Sequence, residues 1–337
     1  MYKGIAENLT DVNNSISLIS DIFFSKRDDD LLVPKDCMLR ENIIIIKNHR
    51  NELIATCLIY PRTLFHNQEN IKTCFLSYIC VNEKYRKKNL ARALMTTANN
   101  LTIKRGLRLS FVIARKSVDY FYNKFEFVGI SNYSKITISQ DSVLKDETLN
   151  DISFRNILVN DISFLNKTYE VEYEKLNGSF KRSNDHWKFV IKKSKNQKIK
   201  IKVILKKGDL IGYLIYKKRH IYEISLLNNN YLKVIKRIFM TNNYKNLIFE
   251  ISKNHSLAKE IYKLDYTISE RQCLHGGHMV RINDAEYFGI KETEMELVLK
   301  KNKTQRLHNQ ILKCLGLSKL NDSVKENSFN IPFVDHL

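Results

Sequence analysis

The chain sets out the same order of apolar and amphipathic stretches twice. In the first half, "ENIIIIKNHRNELIATCLIY" reads as two strands around a polar turn, His49-Arg50-Asn51. "IKTCFLSYICV" is a third strand. "NLARALMTTANNLTIKRG" repeats its apolar residues at helical spacing, with Gly106 placed to cap the end. "LRLSFVIAR" is another strand, "SVDYFYNKFEF" a short helix opened by Ser117, and "GISNYSKITI" a closing strand.

The second half repeats the order without repeating the residues. "KIKIKVILKKGDLIGYLIYKK" is a hairpin turning at Lys207-Gly208-Asp209, and "HIYEISLL" stands for the third strand. "NNNYLKVIKRIFMTNN" is the amphipathic helix, followed by the strand "NLIFEIS" and the short helix "HSLAKEIYKLDY". Six elements in one order, twice, predict two α/β domains of one architecture joined near residues 145–155. The boundaries drawn are 1–148, 149–286 and a C-terminal segment, 287–337.

Composition adds limits. In 337 residues, 43% are hydrophobic, ample for two packed cores. The first twenty residues lack a basic stretch followed by an apolar one, and no apolar run approaches the ~18 residues of a membrane span. A soluble, cytoplasmic protein without membrane partners is therefore expected. The six cysteines never form CxxC; Cys57, Cys74 and Cys80 lie inside apolar strands, as reduced core residues do. The nine histidines show no ligand spacing, so no metal is expected.

The formal net charge of +20 suits polyanionic partners. It comes, however, with many Ile, Asn and Tyr and only 10 Gly and 3 Pro, a bias that spreads Lys and Arg without regard to function. No zinc, helix-turn-helix or RNP-like motif accompanies it, so no nucleic-acid partner is expected. Local density says more. Five cations crowd the nine positions Lys84 to Arg92, in the turn between the third strand and the amphipathic helix. The matching junction of the second half, "SLLNNNYLKV", has no cation before Lys233. A helix N-terminus leaves N–H groups unpaired and attracts phosphate. Ala91 is small enough for close approach there, and Asn89 tolerates a left-handed backbone best among non-glycine residues.

At these residues the sequence resembles the GNAT superfamily of acetyl-CoA-dependent N-acetyltransferases. Their [Q/R]-x-x-G-x-[G/A] motif has its counterpart in Arg86-Lys87-Lys88-Asn89-Leu90-Ala91, and "YNKFEFVGI" resembles "YEKLGFxxV" about 35 residues on. Asn89 and Glu126 replace the two motif glycines. "GSFKRSNDHWKFVI", with Arg182, Ser183 and Trp187, and "GGHMVRIND" resemble stretches of Eis-type proteins, which carry two tandem GNAT-like domains. The resemblance implies mixed, mostly antiparallel sheets flanked by helices, with the cofactor in the first domain only and a short tail docked towards that domain.

It also implies roles. Ile79, Cys80 and Val81 would line the thioester and pantetheine arm; Lys87, Lys88, Asn89, Leu90, Ala91 and Arg92 would hold the pyrophosphate; Ser117 would reach the arm from the far side. Tyr122 matches the general acid, and the C-terminal carboxylate of Leu337 the general base. Acetyl-CoA would be the co-substrate, and a small-molecule or peptide amine the acceptor. A homo-oligomer is compatible with all of this. The alternative is a degenerate, catalytically inactive GNAT protein whose lost glycines leave a CoA-binding or scaffold role.

Overall fold

The computed structural model describes residues 1–24, 34–114, 116–130, 133–140, 151–263, 268–273, 278–290 and 315. In chain order the elements of the first part are β1 (Tyr2–Ile5), α1 (Leu9–Phe23), β2 (Ile43–Lys47), β3 (Leu53–His66), β4 (Glu69–Val81), α2 (Leu90–Lys104), β5 (Leu109–Ile113), α3 (Asp119–Asn123) and β6 (Val128–Gly129). There follow β7 (Tyr133–Ser139), β8 (Ile152–Asn156), α4 (Ile162–Tyr173), α5 (Asn184–Asn196), β9 (Lys200–Lys206), β10 (Asp209–Lys217) and β11 (His220–Leu226). The last are α6 (Tyr231–Asn242), β12 (Asn246–Ile251), α7 (Ser256–Ile261), β13 (Ile268–Cys273) and β14 (His278–Ile282).

These elements build two mixed, seven-stranded sheets flanked by helices, ordered β1-β2-β3-β4-β5-β14-β6 and β13-β7-β12-β11-β10-β9-β8. Each sheet has one parallel pair next to antiparallel ones: β4 with β5, and β11 with β12. In the first, Leu90, Leu94, Met95 and Ala98 form one stripe of α2 and pack on Ile44, Cys57, Ile59 and Leu76. In the second, α6 buries Tyr231, Val234, Ile235, Ile238 and Phe239 in the same manner. A fully buried aliphatic side chain contributes roughly 1.5–3 kcal/mol, so these stripes fix which helix faces the sheet.

The compact units differ from the consecutive domains drawn from the sequence. One comprises Met1–Thr63, Ile71–Ile130 and Gly276–Cys314; the other comprises Leu64–Asn70, Ser131–His275 and Leu315–Leu337. The two closing strands have changed places. β7 pairs with β12 from Asn246↔Ser139 to Ile251↔Ser134, inside the second sheet. β14 enters the first sheet between β5 and β6, from His278↔Ile113 to Ile282↔Leu109. An alternating strand shows which of its faces is apolar but not which sheet receives it, and this exchange is invisible to periodicity for that reason. The 287–337 segment, apart from 287–290 and 315, lies outside the described residues.

Inside the second unit the Arg182–Ser183–Trp187 stretch is structural. Arg182 and Glu223 form a fully buried bidentate pair, both N···O distances 2.7 Å. Tyr213 donates to Glu223 at 2.6 Å, and the guanidinium lies 4.1 Å from the Tyr169 ring centroid and 4.7 Å from that of Trp187. Ser183 caps α5 by accepting from His186 N at 3.1 Å.

Candidate active site

The parallel ladder between β4 and β5 is short. It runs from Thr73↔Leu109 to Phe75↔Phe111, while β4 continues to Val81 and β5 to Ile113. Beyond Phe75 the strands part, so the β4 backbone around Ile79, Cys80 and Val81 is not bonded to β5 there. Tyr78, just before, has φ +50, unusual for a bulky residue and a local break in the strand. Cys80 is buried, and burial pushes its thiol up to about 12. A thiol so protonated at neutral pH is packing and not a nucleophile.

β4 ends at the cationic turn. Lys87 (φ +63) and Asn89 (φ +58) are both left-handed and flank Lys88. Left- and right-handed residues in succession aim backbone N–H groups into one concavity, a shape suited to an anion. Asn89 is the N-cap of α2 but makes no side-chain capping bond, so the first-turn N–H groups stay open. The missing motif glycines have not altered the backbone: Asn89 keeps the conformation glycine would supply, and so does Glu126 (φ +67). Glu126 is moreover held by Arg281 of β14 at 3.0 Å.

A pocket of about 350 Å³ opens here, lined by Val81, the turn and the outer face of α3. Of the residues singled out from the sequence, Val81, Lys87, Asn89, Leu90, Ala91 and Arg92 line it together. Lys88 instead lays its ammonium over the Tyr85 ring, 5.3 Å from the centroid. Ile79 and Cys80 sit just upstream on β4, and Ser117 is exposed in the turn before α3. Leu337 lies outside the described residues. Arg86 of the motif lines it too, and so do Tyr120, Phe121, Lys124 and Phe125, which no sequence pattern marks as binding residues. On a short helix, exposed Tyr and Lys look like an ordinary solvated face.

Tyr122 belongs to the other face of α3. It is half-buried, edge-on to Phe121 (5.2 Å between centroids) and Phe127 (6.1 Å). Burial pushes its phenol up to about 12, with Cys57 and Asp119 adding to the effect. The hydroxyl makes no hydrogen bond among the described residues, so it is protonated and unengaged.

A splayed parallel pair therefore leads to an open, basic helix N-terminus, a cleft whose end suits an anion. Residues 14–127 match the model of the acetyltransferase (GNAT) family. That match covers about a third of the chain. Solved structures share the fold, two of them as follows. A GCN5-related N-acetyltransferase from Anabaena variabilis superposes with a TM-score of 0.64 at 14% identity, over 84% of this chain and 73% of that one. Eis1 from Mycobacterium abscessus does so with 0.63 at 12%, over 86% and 75%. A comparison with curated proteins finds no match.

The cleft at the β4–β5 opening has a counterpart in the second unit, and that one is filled. The β11–β12 ladder spans only His220↔Ile248 and Ile221↔Phe249. Past that point the freed β11 backbone is taken up by the unit's own side chains. Tyr231, first residue of α6, meets Leu226 N at 3.3 Å and donates to Glu172 at 3.2 Å. His255 Nδ1 accepts from Leu257 N at 3.0 Å, so its proton is on Nε2, which donates to Ile224 O at 2.9 Å. Nothing equivalent fills the β4–β5 opening among the described residues.

The plug carries a pH dependence. Burial holds His255 below its ordinary pKa, outweighing the upward pull of Glu172 and Glu223, with Lys259 acting in the same direction as burial. Below the usual histidine value of about 6.5 the unfolded chain takes up a proton that the folded one resists. Stability is therefore full above that pH and falls below it, by at most about 1.4 kcal/mol per pH unit. Melting temperatures measured between about pH 7.5 and 5.5 should fall for the wild type and stay flatter for His255→Gln. Parallel curves for the two proteins would mean that His255 protonates freely.

Proposed function

We propose that the first unit transfers an acetyl group from acetyl-CoA to a primary amine, within an Eis-type tandem arrangement. The observation that carries the reading is the ladder ending at Phe75 and Phe111 and opening onto the uncapped, cationic start of α2. Pantetheine would lie along Ile79–Val81, where β4 has backbone groups to offer, and the pyrophosphate at Lys87–Arg92. The tandem part is supported by the motif stretches at 178–191 and 276–284 and by two sheets of matching design.

The amine nitrogen attacks the thioester carbon, the C–S bond breaks, and the sulfur leaves as CoA thiolate. Tyr122, protonated through the whole neutral range, supplies the proton that thiolate takes up, and the proton that the nitrogen sheds as the amide forms passes to solvent, from which the phenolate is reprotonated. An alkyl amine with a pKa of about 10.4 is neutral only about once in 2,500 molecules at pH 7, so the acceptor must be deprotonated on the enzyme or desolvated by it. The left-handed Asn89 and Glu126 favour this over an inactive protein, because the turn's shape survives the loss of both glycines.

Calorimetry should find one CoA per chain, since the second cleft is plugged, and CoA release from acetyl-CoA should depend on an added amine. Binding without release against a broad amine panel would leave a CoA-binding scaffold. Two equivalent sites would refute the plug.

A further inference from the structure

At the end away from its plug, the second sheet finishes in a rim dense with cations. α5 runs out at Lys195 and Asn196, the chain turns through the left-handed Lys198 (φ +58), and β9 begins at Lys200. Tyr216 of β10 pairs with Lys200, so the turn Lys217-Lys218-Arg219 stands beside it. On the other flank Asn156 of β8 pairs with Lys202, and the chain leaves the sheet next to Lys200, into Leu158 and Val159. We propose that this end of the second unit docks on an anionic lipid surface. The cations face the headgroups, and Leu158 and Val159 enter the apolar boundary beneath them.

The charge is a local excess. From Lys188 to Arg219 the sequence holds 12 Lys or Arg and a single acid, Asp209, against 56 and 36 in the whole chain. Lys195, Lys198, Lys200, Lys217, Lys218 and Arg219 are all exposed. None of them has a carboxylate partner among the described residues. Lys217 donates to Gln197 O at 2.9 Å and Arg219 to Asn246 at 3.0 Å, both neutral. Of the acids described nearby, Asp161 is held by Arg155 at 2.7 Å and Glu250 lies 3.0 Å from His220. Unpaired cations at this density repel one another, and an anionic leaflet relieves that repulsion. The apolar tip is the second observation. Leu158 is 59% and Val159 79% exposed. Single exposed apolar residues are ordinary, but two in succession at a cationic rim make an interfacial anchor. α4 and α5 share one apolar cluster, which sets the start of α4, just past Val159, alongside the end of α5. A nucleic-acid backbone would use the same cations but has no place for the two apolar side chains. Docking of this kind needs no membrane span, and none of the described helices is long and apolar enough to form one.

The experiment is co-sedimentation of the full chain with two kinds of vesicle, pure phosphatidylcholine and phosphatidylcholine with about a third phosphatidylserine. Wild type should partition to the anionic vesicles about 100-fold or more better than to the neutral ones, and rising salt should shrink the difference. A Lys or Arg near an anionic leaflet is worth about 5-fold, so Lys195→Gln, Lys200→Gln and Lys218→Gln together should cost on the order of 100-fold. Leu158→Ser with Val159→Ser should weaken binding about 10-fold or more and leave its salt dependence in place. Equal partitioning of wild type to both vesicles, or to neither, overturns the docking face. So does anionic binding that survives the lysine changes or ignores the Leu158 and Val159 changes. A DNA oligonucleotide bound by wild type and lost by the lysine variant, with no vesicle binding, overturns the lipid surface in favour of a nucleic-acid backbone. All five side chains lie at the surface, and unchanged melting temperatures would confirm that the variants are folded. The result is independent of acetyl transfer, whose cleft lies in the first unit.

Discussion

Acetyl transfer by Tyr122→Phe should fall by roughly 100-fold or more while its melting temperature hardly moves. The ring keeps its edge contacts with Phe121 and Phe127, and the hydroxyl has no partner to lose among the described residues. What disappears is the proton for the departing thiolate. With the phenol pushed up to about 12, no falling limb in the pH–rate profile should come from Tyr122 ionising anywhere near neutrality. Undiminished turnover would return Tyr122 to the aromatic cluster. A large loss of stability with unchanged activity per folded molecule would say the same.

Glu223→Ala should be the most damaging single change in the second unit, at about 3–5 kcal/mol, because it leaves a buried guanidinium uncompensated. Arg182 and Glu223 are both 0% exposed at the side chain, so water cannot take the place of the lost partner. Tyr213 would lose its acceptor in the same step. Replacing the pair together by Arg182→Met and Glu223→Leu should recover much of the loss, since an apolar pair has no charge to bury. Urea unfolding of the three proteins gives the comparison. A single variant within about 1 kcal/mol of wild type would show that the unit relaxes to hydrate Arg182.

The sequence discloses what is local. The stripe Leu90, Leu94, Met95 and Ala98 is a helix face in any context, and Asn89 sits where a left-handed residue is needed. Other features depend on partners distant in sequence. His255 reads as the start of a short helix; that it also closes a cleft depends on Ile224, 31 positions away. The tip of the β3–β4 hairpin, where Asn67 and Gln68 are both left-handed, follows a strand six residues longer than the run "ELIATCLIY" suggested. Tyr120 and Lys124 gain meaning only when α3 is set beside the turn.

The exchanged strands impose an order on the chain's own birth. When the ribosome has released residues up to about 130, β5 still presents a bare edge, and β6 has no neighbour, because its partner at Met279 and Val280 does not yet exist. Some 150 residues later β14 arrives and must enter between them, one strand in from the rim of the sheet. A nascent first half is therefore left with an unsatisfied strand edge for most of its synthesis, the kind of edge that invites wrong pairings. The gene cannot be cut near residue 148 into two self-sufficient pieces. Each piece would carry away a strand that belongs to the other's sheet.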